Sequence, residues 1–203
     1  MLDVLHPNLE ANQRWKKDPN GTCGVLRLTC GTRRLLFTGD APVKAWRWMR
    51  KTGLVGESPL ECDVMTAPHH GGNAGTERQV RWLYGKALSA SHVVISVGTG
   101  NPFGHPTEGV VRAALPAKIL CTQVTARCCD PPTRLLPDGV SAPDVDSQSH
   151  RSVDPGGRHV ACAGTVVVRV GPDRVMIDPR LLERHRAGVD ALSASGASPL
   201  CRR

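Results

Sequence analysis

Aromatic side chains are scarce in this chain: two Phe, one Tyr and four Trp make up 3% of 203 residues. A core of stacked rings is therefore excluded, and the 40% of hydrophobic residues must fill it with Val, Leu and Ala. No apolar run approaches the ~20 residues that span a bilayer, so no membrane segment is expected. Met1 is followed by Leu-Asp-Val-Leu-His-Pro, without the basic start and apolar stretch of a secretory leader. The expected compartment is cytoplasmic, where the eight cysteines are thiols or metal ligands rather than disulfides. No two of them are spaced Cys-x-x-Cys, the mark of a dedicated zinc ribbon. Internal repeats are absent too.

Charge of one sign is in excess. The chain has 26 Lys+Arg against 18 Asp+Glu, a formal net charge of +8. Long-range attraction then favours an anionic partner, nucleic acid included. A composition biased toward Arg gives the same excess, and the Arg residues are scattered, so no basic patch can be read. The length fits one domain with a sizeable core.

Strands and helices alternate, which predicts an α/β fold. Val25–Thr29 and Arg34–Thr38 read as a hairpin-like pair joined by Cys30-Gly31-Thr32. A helix is expected over Ala41–Lys51, with Trp46 and Met49 on one side. Cys62–Thr66 reads as a strand, Thr76–Tyr84 as a helix capped by Thr76, and Ser91–Val97 as a fully buried strand. Thr107–Leu115 is a helix stopped by Pro116, and Ile119–Thr125 a strand. From Cys128 the composition turns to Pro, Gly, Ser and Asp without periodicity. Order resumes with a hairpin, Gly164–Val170 and Arg174–Ile177, turning at Gly171-Pro172-Asp173. Leu181–Leu192 suits a short helix before a frayed tail. The expected division is a partial domain over 1–127, a flexible insert over 128–158, a β-hairpin over 159–180 that completes the domain, and a helix with tail over 181–203.

Three apolar runs end in chemistry. Leu35-Leu36-Phe37-Thr38-Gly39-Asp40 ends in an acid, Ala67-Pro68-His69-His70-Gly71-Gly72 in paired histidines, and the third run leads into Asn101-Pro102-Phe103-Gly104-His105-Pro106. Open α/β sheets place their sites at such strand ends. Asp and neutral His are donors that zinc or manganese accepts. Asp40 could bridge two cations through its two oxygens, or cap the helix that follows. His69 and His70 leave a strand on opposite sides, so one reads as a metal ligand and the other as a substrate or water contact. His105 could contact an anionic oxygen or act as a general acid, or simply stiffen a Pro-bounded loop. Cys121, Cys128, Cys129 and Cys162 bracket the insert. With His159 they could form a zinc staple closing it, or stay ordinary thiols. Cys23, Cys30, Cys62 and Cys201 read as incidental.

The same three motifs carry a resemblance. Residues 1 to about 125 resemble the C-terminal half of a metallo-β-lactamase-fold hydrolase, in the branch that includes the hydrolase domain of ComEC/Rec2 DNA-uptake proteins. Val4-Leu5-His6-Pro7, Asn20 and Val25-Leu26-Arg27-Leu28 resemble that branch's run-up to LFTGD. The resemblance implies one half of an αβ/βα sandwich, with a loop insert and a terminal β-hairpin here. It implies hydrolysis of an ester or phosphodiester, DNA among the substrates. Asp40 would bridge two ions, zinc or manganese, with His70 or His69 holding the second and His105 facing the substrate. The family's HxHxDH signature, upstream of these motifs, does not occur in this sequence. The expected enzyme is therefore incomplete as this chain. The alternative is an inactive half-domain that binds a partner, such as a separate N-terminal half.

Overall fold

A computed structural model describes residues 1–72, 75–128 and 162–202. Eight strands and five α-helices follow one another among them: β1 (Leu2–His6), α1 (Leu9–Arg14), β2 (Val25–Cys30), β3 (Arg33–Phe37), α2 (Val43–Lys51), β4 (Leu60–Thr66), α3 (Glu77–Trp82), β5 (Leu88–Ile95), α4 (Glu108–Ala114), β6 (Lys118–Cys121), β7 (Val168–Val170), β8 (Val175–Ile177) and α5 (Pro179–Ala194). A π-helical turn, Leu83–Ala87, joins α3 to β5. The class is mixed α/β, with a terminal hairpin of β7 and β8, as the alternation of patterns predicts.

The first six strands form one sheet in sequence order, β1 to β6. β1, β2 and β3 pair antiparallel, and β3 through β6 pair parallel. Each parallel step needs a crossover, and equal handedness puts the crossovers on one face. There α2, α3 and α4 lay Trp46, Met49, Val80, Leu83, Val110 and Val111 onto Leu36, Met65, Val93, Ile95 and Ile119. Alternate strand residues point the other way. On that face Leu35, Val64 and Leu120 are covered by Ile177 of β8 and Leu181 of α5.

That cover is partial. Val4 pairs with Leu26, and Leu26 with Phe37, so the three share a row on the face of Leu35. Val4 is 67% exposed and Phe37 43%. The hairpin and α5 cover Leu28 of β2 as well as Leu35, Val64 and Leu120, and leave Val4 and Phe37 open.

Several boundaries differ from the sequence reading for local reasons. β1 and α1 were not read at all: one has five residues and the other six, too short for periodicity to show. β6 stops at Cys121, because Thr122 and Gln123 spend their side chains on the exit of β5. The Thr122 hydroxyl donates to Val97 O at 2.9 Å, and Thr99 N donates to Gln123 Oε1 at 2.7 Å. Residues 162–164 are not strand. They are pinned to the end of β6 by Cys162 N to Thr122 O at 3.1 Å and Ala163 N to Cys121 O at 2.8 Å. α5 is longer than expected because Asp178 caps it, accepting from Arg180 N at 3.0 Å, with Pro179 in its first turn. The C-terminus, read as a frayed tail, carries a 3-10 turn at Leu200–Arg202. Leu200 and Cys201 pack against the main core. The insert expected at 128–158 lies outside the described residues except for Cys128.

Trp46 anchors the helical layer. It is fully buried and its indole N–H donates to Ala41 O at 3.1 Å. Trp48 lies at the helix surface beneath Arg14, and Trp82 beneath Arg47. Trp46→Ala should cost about 3–5 kcal/mol of unfolding free energy. A loss well under 1 kcal/mol in denaturant titration would show that this ring is not a core anchor.

Candidate functional site

Because β3, β4 and β5 are parallel, the segments leaving them emerge at one edge of the sheet. Asp40 follows β3, His69 and His70 follow β4, and His105 follows β5. The structure brings all four together there.

Asp40 does not cap α2. The cap position is Pro42, and no side chain bonds that helix end. Instead Asp40 Oδ1 lies 3.3 Å from His70 Nε2. The other nitrogen of His70, Nδ1, is 2.9 Å from Ser96 O. A carbonyl only accepts, so Nδ1 carries the proton and Nε2 of the neutral ring is bare. Two acceptor atoms then face each other, and only a proton or a cation between them makes that contact favourable. With metal–donor bonds of ~2.0–2.2 Å in tetrahedral geometry, two ligands of one ion sit roughly 3.3–3.6 Å apart, a range this pair reaches at 3.3 Å. A metal-binding His with its second nitrogen fixed by a carbonyl is the usual outer-shell arrangement. His70 is half exposed, so a ligand can reach it.

His69 takes another direction. Both histidines have left-handed backbones, φ 52° and 54°, a conformation that costs non-glycine residues about 1–3 kcal/mol. That turn sends the His69 ring away from Asp40. Its Nδ1 lies 3.4 Å from Asn20 Nδ2, and its ring meets His105 edge-on at 5.6 Å. The backbone His69 N donates to Gly39 O at 3.0 Å, tying the two motifs directly. Two glycines make this packing feasible. A Cβ on Gly39, φ +48°, would lie 2.5 Å from Cys23 Sγ, and one on Gly72 would lie 2.4 Å from the His105 ring.

His105 is held by its loop. Asn101 accepts from His105 N at 2.9 Å and donates to His105 O at 3.1 Å. Phe103 stacks on the ring at 5.8 Å. The ring Nδ1 is buried and has no hydrogen-bond partner. Burial, then the nearby His69 and His70, push the His105 pKa down, and Asp40 opposes them. A cleft of about 300 Å³ opens beside it, lined by His70, Ser96, Val97, Gly98, Asn101, Phe103 and His105.

Three contributors escaped sequence reading as site members. Asn20 supports His69, Cys23 accepts from Asp40 N at 3.0 Å, and the Ser96 carbonyl orients His70. A backbone carbonyl has no sequence signature. Asn20 and Cys23 come from the loop after α1, held in place by His6, whose Nε2 donates to Gly21 O at 2.8 Å.

The cysteines gather elsewhere. Cys121 at the end of β6 and Cys162 meet Cys201, a residue read as incidental, and His185 of α5. One ligand atom each from Cys162, His185 and Cys201 lie within 4.8 Å of one another. Cys121 Sγ is 3.3 Å from Cys201 Sγ. Hydrogen bonds from Cys121 and Cys162, with His185 adding to them, hold the Cys201 thiol far below its ordinary range. Cys128 is buried nearby, under Leu192. Cys129 and His159 lie outside the described residues.

No protein-family model matches the chain and no solved structure does. The chain is 34% identical over 104 residues to competence protein ComA of Neisseria gonorrhoeae. That similarity covers 50% of this chain and 14% of ComA, so the chain spans a small part of that relative's length. Among the described residues, no helix is long and apolar enough to cross a membrane.

In metal-free protein the His105 ring should titrate below the ordinary value of 6.5. Folding favours its neutral form. The associated stability is therefore present above pH ~6.5 and is lost as pH falls through the folded midpoint. Asp40→Asn removes the carboxylate that favours the imidazolium, so it should lower the midpoint further. Imidazole NMR reads this directly, and a rise in the midpoint on Asp40→Asn would contradict the electrostatics described.

Proposed function

We propose that this chain carries part of a metal-dependent hydrolase site of the metallo-β-lactamase type, acting on ester or phosphodiester bonds. The observation that carries it is His70 Nε2 facing Asp40 Oδ1 at 3.3 Å, with Nδ1 already committed to Ser96 O. The partial likeness to a competence protein and the net charge of +8 support an anionic substrate, with DNA the leading candidate.

Asp40 and His70 fit zinc or manganese by the chemistry of their donors. One or two such ions there would supply Lewis acidity and a water nucleophile at neutral pH. The other roles fall to the chain. Asp40 offers a second oxygen toward a second ion, and His69 stands behind with Asn20 setting its ring. His105, kept neutral by burial, is able to take or give a proton at a ring nitrogen beside the cleft. Asn101 fixes that ring's position, and Phe103 roofs it.

Asp40 and His70 alone are two donors, and catalytic zinc sites use three protein ligands. The site is therefore completed by donors from outside these residues, with a segment bearing HxHxDH as the natural source. The open row of Val4, Leu26 and Phe37 suits such a partner half, since an exposed apolar sheet face is a surface that recruits cover. The alternative reading is an inactive half-domain that serves as a binding module, and the same pair of donors favours it.

Manganese separates the readings, because a hard ion favours Asp and His over thiolates. Added Mn²⁺ should broaden the ring signals of His70 and His105, and Asp40→Ala should abolish this. The isolated chain should hydrolyse a model phosphodiester at background level. An added upstream half carrying HxHxDH should restore turnover, and Asp40→Ala should remove it again. Selective broadening without restored turnover would favour the binding module. No effect of Mn²⁺ on these rings would sink the metal site altogether.

A further inference from the structure

We propose that Cys121, Cys162, His185 and Cys201 form a second, structural metal site that holds one zinc ion and clamps the C-terminal segment to the sheet. Four separate segments supply the donors: the end of β6, the chain re-entering before β7, the middle of α5 and the C-terminal 3-10 turn. In a tetrahedral Cys₃His site, Zn–S bonds of ~2.3 Å place sulfurs about 3.8 Å apart. Cys162, His185 and Cys201 already lie within 4.8 Å of one another, and Cys121, outside that group but 3.3 Å from Cys201, would complete the tetrahedron by turning its side chain toward the ion.

An independent observation points into the same place. His185 is 8% exposed, and its Nε2 is buried without a hydrogen-bond partner. Leaving a polar atom buried and unpaired costs free energy, and a core position seeking only volume would be filled by Leu or Met. Two sulfurs and a buried imidazole instead share one spot, with Cys121 against Cys201 beside them. Soft thiolates with one imidazole are the donor set that selects zinc over harder ions. Binding would release the thiol protons to solvent and make thiolate ligands of the three cysteines.

The consequence is mechanical. Cys162 is already fastened to the end of β6 through Thr122 O, and Cys128 lies against Leu192 of α5 on the other side of the undescribed segment. A zinc ion would tie Cys121 to Cys162 and fix both α5 and the final turn. Closing a long loop with metal removes conformational freedom from the unfolded chain. The donor set differs from the staple expected from sequence. Cys121 and Cys162 remain, while His185 and Cys201 of the C-terminal segment are new.

The full chain can be tested with zinc and cobalt as probes. After growth in zinc-supplemented medium, purified protein should hold one tightly bound zinc per chain. The Asp40→Ala/His70→Ala double variant should retain it, which separates this site from the one proposed for catalysis. Cys201→Ser and Cys162→Ser should each lose it, and chelator should lower the thermal midpoint of the wild type by several degrees. Should those variants fold poorly, cobalt-loaded wild type still decides the matter. A thiolate-to-cobalt charge-transfer band with a tetrahedral ligand-field spectrum supports the site. A spectrum without thiolate bands overturns it, as would a Cys121–Cys201 disulfide found by mass spectrometry or zinc lost only with Asp40 and His70.

Discussion

The parallel pairing of β3, β4 and β5 is the constraint on which the site depends. Three strands running the same way release their chains at one edge, and the crossovers stay behind on one face. Asp40, His70 and His105 are far apart in sequence, yet no long-range coincidence is needed to unite them. The ladder registers Leu36 with Met65 and Met65 with Val93; Asp40 and His70 follow within a few residues, and His105 comes from the longer loop that leaves β5. Reversing any one of these strands would send its functional residue to the opposite edge.

Placement at the edge is coarse, and the final ångströms come from strained and close-packed backbone. The left-handed pair His69-His70 turns two adjacent rings onto different partners, one onto Asp40 and one onto Asn20. Gly39 lets the Asp40 segment press against Cys23 and lets its own carbonyl accept from His69. Gly72 clears the space where the His69 and His105 rings meet. The fold tolerates this strain because a buried helical layer, centred on Trp46 and Met49, fixes the strands beneath it.

Much of this was legible in the sequence, for physical reasons that also mark where legibility ended. Apolar runs of strand length betrayed β2 to β5, and capping residues such as Thr76 and Thr107 betrayed α3 and α4. Acid and imidazole at the ends of three such runs pointed to Asp40, the histidine pair and His105. What stayed hidden has no local signature. The Ser96 carbonyl looks like any other, and the left-handed turn at His69-His70 runs against the preference of those residues. Asn20 and Cys23 act through a loop whose path is set by His6. Of the Cys/His cluster the sequence pointed to Cys121 and Cys162, whereas His185 and Cys201 joined them only once the C-terminal segment was placed. Asp178-Pro179, by contrast, was a readable start signal for α5.

The two faces of the sheet then explain the division of labour in this chain. Crossover helices bury one face completely. The opposite face is divided between a hairpin with α5 over Leu28, Leu35, Val64 and Leu120 and an open row across β1–β3. A short hairpin with a single helix cannot cover six strands, and the C-terminal turn after α5 meets the end of β6 at Cys121. Holding that turn in place is therefore a structural task, distinct from chemistry at the strand ends, and the sulfur cluster stands where it would be done. The uncovered side is the one next to β1 and β2, whose preceding loop supports His69 and Asp40. Anything docking there would lie near the loops that orient Asp40 and His69, so cover of the sheet and the arrangement at the strand ends are two aspects of one surface.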